Sequence, residues 1–428
     1  MGVTNLFSPG VTFLCGLLSL YILRIIAIFT KLMQFKGPSG TGISNWPHSI
    51  AILGGNCHEW YAEVNKKYGS IARVAPRVLI TSSPEVWMHV NNKPGYKRSD
   101  WYYRAVRIEY RKDNVFSQTN NVKHEQRRKQ MAPGYSGREN TQLEGSVDER
   151  VEEFLNLIRC KYISSDRHVV PMDLAKKIQY FTLDVISSVG LGKAFACFRL
   201  VDERAAGSTI EKSDMLASFM RHGLADDELR TEALEQILAG SDTTASAIPV
   251  RHGRAPSTGE GLVTAAQAKD LPYLQAVIRE GLRVAPPVAN IFSRDVPKGG
   301  DTILVDGESV FLPGGSCIGY SAYAMHKSEK IYGKDAAAFR PERWLDSDPV
   351  KLAAMIRTND LTFGYGKFQC LGKSVAQIEI RKTIFELLRN FDLSLINPTR
   401  PWNARNYLGL FAISDMWVQV TERTPFSL

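Results

Sequence analysis

The chain has 428 residues, 44% hydrophobic and 10% aromatic, which allows one large domain or two smaller ones and excludes a disordered protein. Six cysteines (15, 57, 160, 197, 317 and 370) form no Cys-x-x-Cys pair and no regular spacing, which argues against a disulfide framework or zinc site and fits a reducing compartment. The net charge of +9 is spread along the chain with one dense cluster, Lys123 to Lys129. A membrane surface or an acidic protein partner explains it as well as nucleic acid does, and no nucleic-acid partner is expected.

Val11 to Phe29 is almost wholly apolar, interrupted by Arg24, and a membrane span needs about 20 such residues. The rival reading, a cleaved signal peptide, requires basic residues before the apolar run. Residues 1–10 contain none, while Arg24, Lys31 and Lys36 end or follow it. That asymmetry predicts a single-pass anchor over residues 1–30 with the bulk of the chain cytoplasmic. Gly37-Pro38-Ser39-Gly40-Thr41-Gly42 and Pro47 read as a hinge over 31–47, ahead of a folded domain at 48–428.

Within that domain, Ser70 to Val74 and Val78 to Thr81 flank Ala75-Pro76-Arg77 as a first hairpin. Thr302 to Val305, Asp306-Gly307 and Ser309 to Leu312 make a better-marked second one, and Met416 to Val420 is a third extended run. Helical period covers 144–163, 168–190, 213–240, 271–283 and 373–391, so the fold class is mainly α with a minor β part.

Phe363-Gly364-Tyr365-Gly366-Lys367-Phe368-Gln369-Cys370-Leu371-Gly372 sets a cysteine in a glycine-bearing loop just before the last of these helices. A helix N-terminus favours thiolate over thiol, and Gly366 and Gly372 carry no side chain to obstruct a flat ligand. A thiolate held this way suits an axial ligand of haem iron. A small buried cysteine in a glycine-rich turn is the alternative. Ala239-Gly240-Ser241-Asp242-Thr243-Thr244 closes a helix beginning near Thr231, where Ser/Thr back-bonding can bend the backbone; plain helix-end punctuation is the competing explanation. Glu280 and Arg283 lie three apart on one helix face, and Pro341-Glu342-Arg343-Trp344 supplies a second arginine. His124 and Arg128 share a face at i, i+4, either as ligand contacts or as a solvated basic surface.

The cysteine loop resembles the haem-binding loop of the cytochrome P-450 family, Phe-x-x-Gly-x-Arg-x-Cys-x-Gly, through Phe363, Gly366, Cys370 and Gly372. Its wider wording resembles fungal members of the pisatin-demethylase-like kind. The resemblance runs from about residue 40 to the end, with the motifs in family order. It implies a P-450-like helical fold and a haem b whose iron takes Cys370 as axial ligand. It further implies Asp242 and Thr243 as proton-delivery residues, and His124, Arg128 and Arg294 as haem-propionate contacts. Glu280, Arg283 and Arg343 become a structural triad behind the haem. The implied activity is monooxygenation of a small lipophilic substrate, a secondary metabolite, by dioxygen. An NADPH-dependent P-450 reductase would supply the electrons, at the endoplasmic-reticulum membrane.

Three departures stand out. Phe368 occupies the position where the family has a basic residue for a propionate, and Lys367, one place earlier, is expected to project to the other side. Residues 196–213 and 245–270 are short for the family, where helices roof the substrate pocket, and both gaps indicate missing sequence. Two alternatives therefore stand beside the monooxygenase: a haem-binding relative without turnover, and a membrane-tethered helical protein without cofactor.

Overall fold

The computed structural model describes residues 9–137, 139–193, 214–247 and 261–423. Helices dominate, and four small sheets are built from twelve strands. In chain order these are β1 (Ile71–Ala75), β2 (Val78–Thr81), β3 (Lys97–Arg98), β4 (Pro171–Asp173), β5 (Asn290–Asp295) and β6 (Asp301–Val305). Then come β7 (Glu308–Leu312), β8 (Cys317–Ser321), β9 (Phe391–Leu395), β10 (Asn403–Tyr407), β11 (Leu410–Ser414) and β12 (Trp417–Glu422). The largest sheet has the order β1-β2-β8-β5-β3, and β6-β7, β10-β11 and β4-β12-β9 form the others.

Both expected hairpins form. β6 and β7 turn through Asp306 and Gly307 at φ 51 and 90, the left-handed pair that a two-residue turn requires. The helix Leu143–Lys161 buries Leu143, Val147, Val151, Phe154 and Ile158, one stripe at helical spacing, against Lys373–Asn390 and Leu174–Leu191. The expected 168–190 helix starts later, at Leu174. The segment before it pairs as β4 with β12, and the Asp173 carboxylate caps the helix by accepting from the Lys176 N–H. The expected 213–240 helix is two, Met215–Arg221 and Asp226–Ala247, parted at Gly223 with φ 77.

That second helix corrects an expectation. It does not close at Ala239–Thr244 but carries the motif in its body and runs on to Ala247. Gly240 is there for packing: a Cβ on it would lie 2.6 Å from Ile186 of the neighbouring helix.

Pro9–Lys31 is one exposed apolar helix, long enough to cross a membrane. The stretch expected as a hinge is instead packed down. Leu32 and Phe35 are buried beside Leu79, Trp87 and Ile318, and the Lys36 carbonyl accepts from the Arg73 N–H. The buried Arg73 guanidinium donates to the carbonyls of Ile28, Phe29, Gly42, Ala75 and Pro76, tying the end of the apolar helix to β1. Carbonyls at a helix C-terminus carry partial negative charge, so a cation is well placed there. All of shortened region 196–213, and 248–260 of the second, lie outside the described residues.

Candidate functional site

The cysteine loop is a pair of tight turns fixed at both ends. Single turns at Leu361–Phe363 and Gly366–Phe368 lead into Lys373–Asn390, and the Cys370 N–H donates to the Phe363 carbonyl at 2.7 Å. Phe363 packs on the main core, so it anchors the loop. The two glycines serve the chain more than a ligand. Gly366 has φ 59, and a Cβ there would sit 3.0 Å from the Asn91 carbonyl oxygen. Gly372 has an ordinary φ of −79, and its added Cβ would meet Tyr135 only at 3.8 Å.

Cys370 keeps accessible surface, yet burial raises its thiol above the ordinary value despite the Gly372 N–H hydrogen bond and the Arg128 and Lys373 charges. The thiol is surrounded by protein groups and still reachable from solvent. The expected helix-terminus thiolate is thus overruled by desolvation in the cofactor-free chain, and a metal is what deprotonates such a thiol. Cys57 and Cys317 are buried in the apolar packing around β1, β2 and β8, and burial pushes their thiols up to about 12 and about 11. Neither has open space beside it.

Basic groups converge next to the loop. Arg128, from the helix Asn121–Tyr135, donates to the Gln369 carbonyl, one residue before Cys370. His124, one turn earlier, packs on the Phe368 ring at 5.3 Å. Its imidazole is pushed down to about 2 by burial and by Arg98, Arg128, Arg294 and Lys367, so at neutral pH it is uncharged. Arg294 leaves β5 at a register shift, with Phe292 at φ 26, and its guanidinium reaches Asn91 Oδ1 at 3.0 Å and Tyr103 Oη at 2.6 Å.

Sequence reasoning missed Arg98 on β3. It is buried, hydrogen-bonded to the Val115 and Phe116 carbonyls, and pushed down to about 10 by desolvation and by the charges of Arg294 and Arg128. It belongs to no motif, so only the pairing of β3 with β5 brings it in. Lys367 also corrects an expectation: its Nζ donates to the Tyr96 carbonyl and lies 5.0 Å over the Phe368 ring, the same ring that Arg98 and Arg294 approach.

Among the described residues no ion pair joins Arg98, Arg294 or Lys367 to a carboxylate, and the buried Arg98 Nε and His124 Nε2 have no partner. Buried cations without direct ion pairs are costly, and an anionic ligand beside Arg98 and Arg294 would offset that cost. An accessible loop thiol with carboxylate-binding groups beside it fits haem with two propionates.

Near these groups stands the helix Asp226–Ala247. Gly240 marks its side against Leu174–Leu191, and Glu235 lies about 140° around the helix from it. Glu235 bears electrostatically on Cys370 and Arg98, and burial pushes its own carboxyl up to about 7. The Thr243 hydroxyl donates back to the Ala239 carbonyl. Asp242 is in the same helix, its side chain outside the described residues.

The structural triad that the family resemblance implies assembles. Arg283 grips Glu280 with Nε and Nη2 at 2.8 and 2.7 Å, Arg343 Nε reaches it at 3.1 Å and Trp344 Nε1 at 3.0 Å. Arg283 also donates to the His326, Ala336 and Ala338 carbonyls. Burial alone would raise the Glu280 carboxyl, but the Arg283 and Arg340 N–H hydrogen bonds and both guanidinium charges hold it below its ordinary value.

Comparison with known proteins agrees with this geometry. The sequence pattern of the family "Cytochrome P450" matches residues 38–222 and 258–414. The unmatched stretch between them holds the Asp242–Thr243 motif. Cytochrome P450 monooxygenase ABA1 of Pyricularia oryzae is 31% identical, covering 92% of this chain and 93% of its own length. Cytochrome P450 monooxygenase aba1 of Botryotinia fuckeliana is 30% identical, covering 84% and 86%. A cytochrome P450 monooxygenase of Aspergillus terreus is 25% identical, covering 88% and 93%. The alignment with the first spans 486 positions, more than the length of this chain, so that relative carries stretches that are absent here. The chain belongs to the cytochrome P450 family, the haem-thiolate monooxygenases, which work with dioxygen, an organic substrate and a redox partner.

Proposed function

We propose that this protein is a membrane-anchored monooxygenase that holds haem through Cys370 and oxidises a small lipophilic secondary metabolite. The observation that carries the proposal is the meeting of one accessible loop thiol, Cys370, with Arg98, Arg128 and Arg294, none of which makes a direct ion pair among the described residues. Bound haem supplies dioxygen activation and O–O cleavage, which a thiolate ligand promotes.

The chain's own residues do the rest. Phe363 and the Gly366 turn hold the Cys370 loop in register, and the Gly372 N–H bonds to the sulfur, tempering its electron donation. His124, as a neutral N–H donor, and Arg128 and Arg294, as cations, bind the propionates. Thr243 exchanges its Ala239 carbonyl bond for the distal pocket and passes protons inward, with Asp242 as the acid behind it. Glu235 gives the distal wall a carboxyl group that is half protonated near neutrality.

Electrons come from an NADPH-dependent reductase whose acidic surface docks on basic residues on the Cys370 side. The exposed helix Pro9–Lys31 serves as a single-pass anchor, which puts the domain on the cytoplasmic face of the endoplasmic reticulum. Residues 1–30 act as the anchor and 48–428 as one haem-binding domain.

A second reading has one observation in its favour: a relative carries stretches that this chain lacks, and two regions are short in the sequence. A distal pocket without its roof admits water, which separates haem binding from coupled turnover. Reconstitution with NADPH, a P450 reductase and isotope-labelled dioxygen distinguishes the two. One labelled oxygen atom in an organic product supports the monooxygenase. NADPH oxidation that yields only peroxide or water supports the relative without turnover.

A further inference from the structure

The family pattern carries a basic residue two positions before the ligating cysteine, and this chain has Phe368 there. The ring is almost buried, and its surroundings are unusual for an apolar side chain. The Arg294 guanidinium lies 4.2 Å from the ring centroid, Arg98 5.1 Å and the Lys367 ammonium 5.0 Å. The three cations come from β5, β3 and the cysteine loop itself, so no local sequence pattern produces them together.

We propose that Phe368 is a positioning residue for the propionate end of the haem: its ring is the platform that holds Arg98, Arg294 and Lys367 together, in place of the family's basic side chain. The proposal rests on the haem assignment made above and deepens it.

The physical case begins with repulsion. Like charges side by side in a buried site oppose one another, and the Arg98 and Lys367 values are both held down in part by the Arg294 charge. A further cation at 368 would add to that. An aromatic ring does the reverse, because its negative face attracts each cation and cannot be titrated away. Anchoring completes the arrangement: Arg98 is held by the Val115 and Phe116 carbonyls, Arg294 by Asn91 and Tyr103, and Lys367 by the Tyr96 carbonyl. Among the described residues the buried Arg98 Nε and His124 Nε2 are left without a hydrogen-bond partner. The charge that one basic residue delivers elsewhere in the family is delivered here by Arg98 and Lys367, both oriented by the Phe368 ring.

A counterintuitive result follows. Restoring the family's residue by Phe368→Arg should loosen the haem, because it removes the platform and adds a cation. The test is the rate of haem transfer from the ferric full-length protein to apomyoglobin, read beside the carbon monoxide spectrum that reports the thiolate. Phe368→Leu keeps the apolar volume and loses the ring face; its haem loss should be about tenfold faster than wild type, the scale of one or two desolvated cation–π contacts. Phe368→Tyr should stay within about twofold of wild type, since the ring face is kept. Phe368→Arg should lose haem faster than Phe368→Leu. Removing one cation from that background, in Lys367→Gln/Phe368→Arg, should slow the loss again. The double variant also guards against an Arg variant that simply folds poorly.

Haem retention in Phe368→Arg equal to or better than wild type overturns the proposal, as does Phe368→Leu indistinguishable from wild type. A folded wild-type protein that takes up no haem overturns the assignment beneath it, a different failure visible before any variant is made.

Discussion

Two buried charge clusters lie in this molecule, and they differ in whether the chain neutralises them. Around Glu280, the Arg283 and Arg343 charges meet the Glu280 carboxylate, and Arg343 also reaches Asp335 at 3.0 Å. Backbone carbonyls accept the remaining N–H groups, so nothing is left over. Around Phe368, Arg98, Arg294 and Lys367 bond to carbonyls, an amide and a phenol and lie over a ring, and among the described residues none makes a direct ion pair with a carboxylate. The first cluster is complete without a ligand and is structural. The second is incomplete, and the missing negative charge describes the ligand.

The two should respond oppositely to the loss of one member. Glu280→Ala leaves the buried Arg283 guanidinium without a counter-ion and Arg343 with Asp335 alone, and should destabilise the protein by about 3–5 kcal/mol, read by urea denaturation. A loss below ~1 kcal/mol would remove the distinction between the clusters. Arg98→Leu should do the reverse in the cofactor-free protein, leaving stability unchanged or improved because a repelled cation is gone. Haem affinity should nonetheless fall by about 1.5–3 kcal/mol, the scale of a charge-assisted hydrogen bond. Arg98→Leu destabilising the cofactor-free chain as much as Glu280→Ala would show that Arg98 is structural too.

pH sharpens the comparison. His124, His326 and His48 are pushed down by burial to about 2, about 3 and about 4, so the folded chain keeps them neutral while the unfolded chain protonates them near 6.5. The unfolded state then binds more protons, and stability should fall steadily as pH drops below 6.5. His326→Gln should flatten that slope in urea midpoints taken across the range, and an unchanged slope would contradict the burial argument. Glu280, held low, contributes stability that is present at neutral pH and disappears only as pH falls through its depressed value.

The smallest stability effect is expected at the distal helix. Thr243→Ala removes one back-bond to the Ala239 carbonyl and should change stability by less than about 1 kcal/mol. Its effect should appear instead in coupling, as more NADPH oxidised per product. Unchanged coupling would remove Thr243 from proton delivery.

The two clusters were unequally legible in the sequence. Glu280 and Arg283 are one helical turn apart and Arg343 sits in a compact Pro-Glu-Arg-Trp run, so local spacing carried that constellation. The Cys370 loop was likewise local. Arg98 was invisible because β3 joins the site through its pairing with β5, some 200 residues away. Phe368 read as a defect in the motif because a ring's effect on charge depends on which cations stack against it. The Asp226–Ala247 helix was cut short because Gly240 suggested an end, whereas its contact with Ile186 makes it a packing residue. Over 31–47 glycine and proline mark turns in the sequence, whereas the contact from Arg73, distant in sequence, to the Gly42 carbonyl has no local signal.

Cys370 as the haem ligand is tested most directly by the carbon monoxide difference spectrum of the dithionite-reduced protein, run beside Cys370→Ala. A red-shifted thiolate-type Soret band in the wild type that vanishes in the variant is the expected result. A folded wild type without the band, or a band that survives in Cys370→Ala, would contradict it.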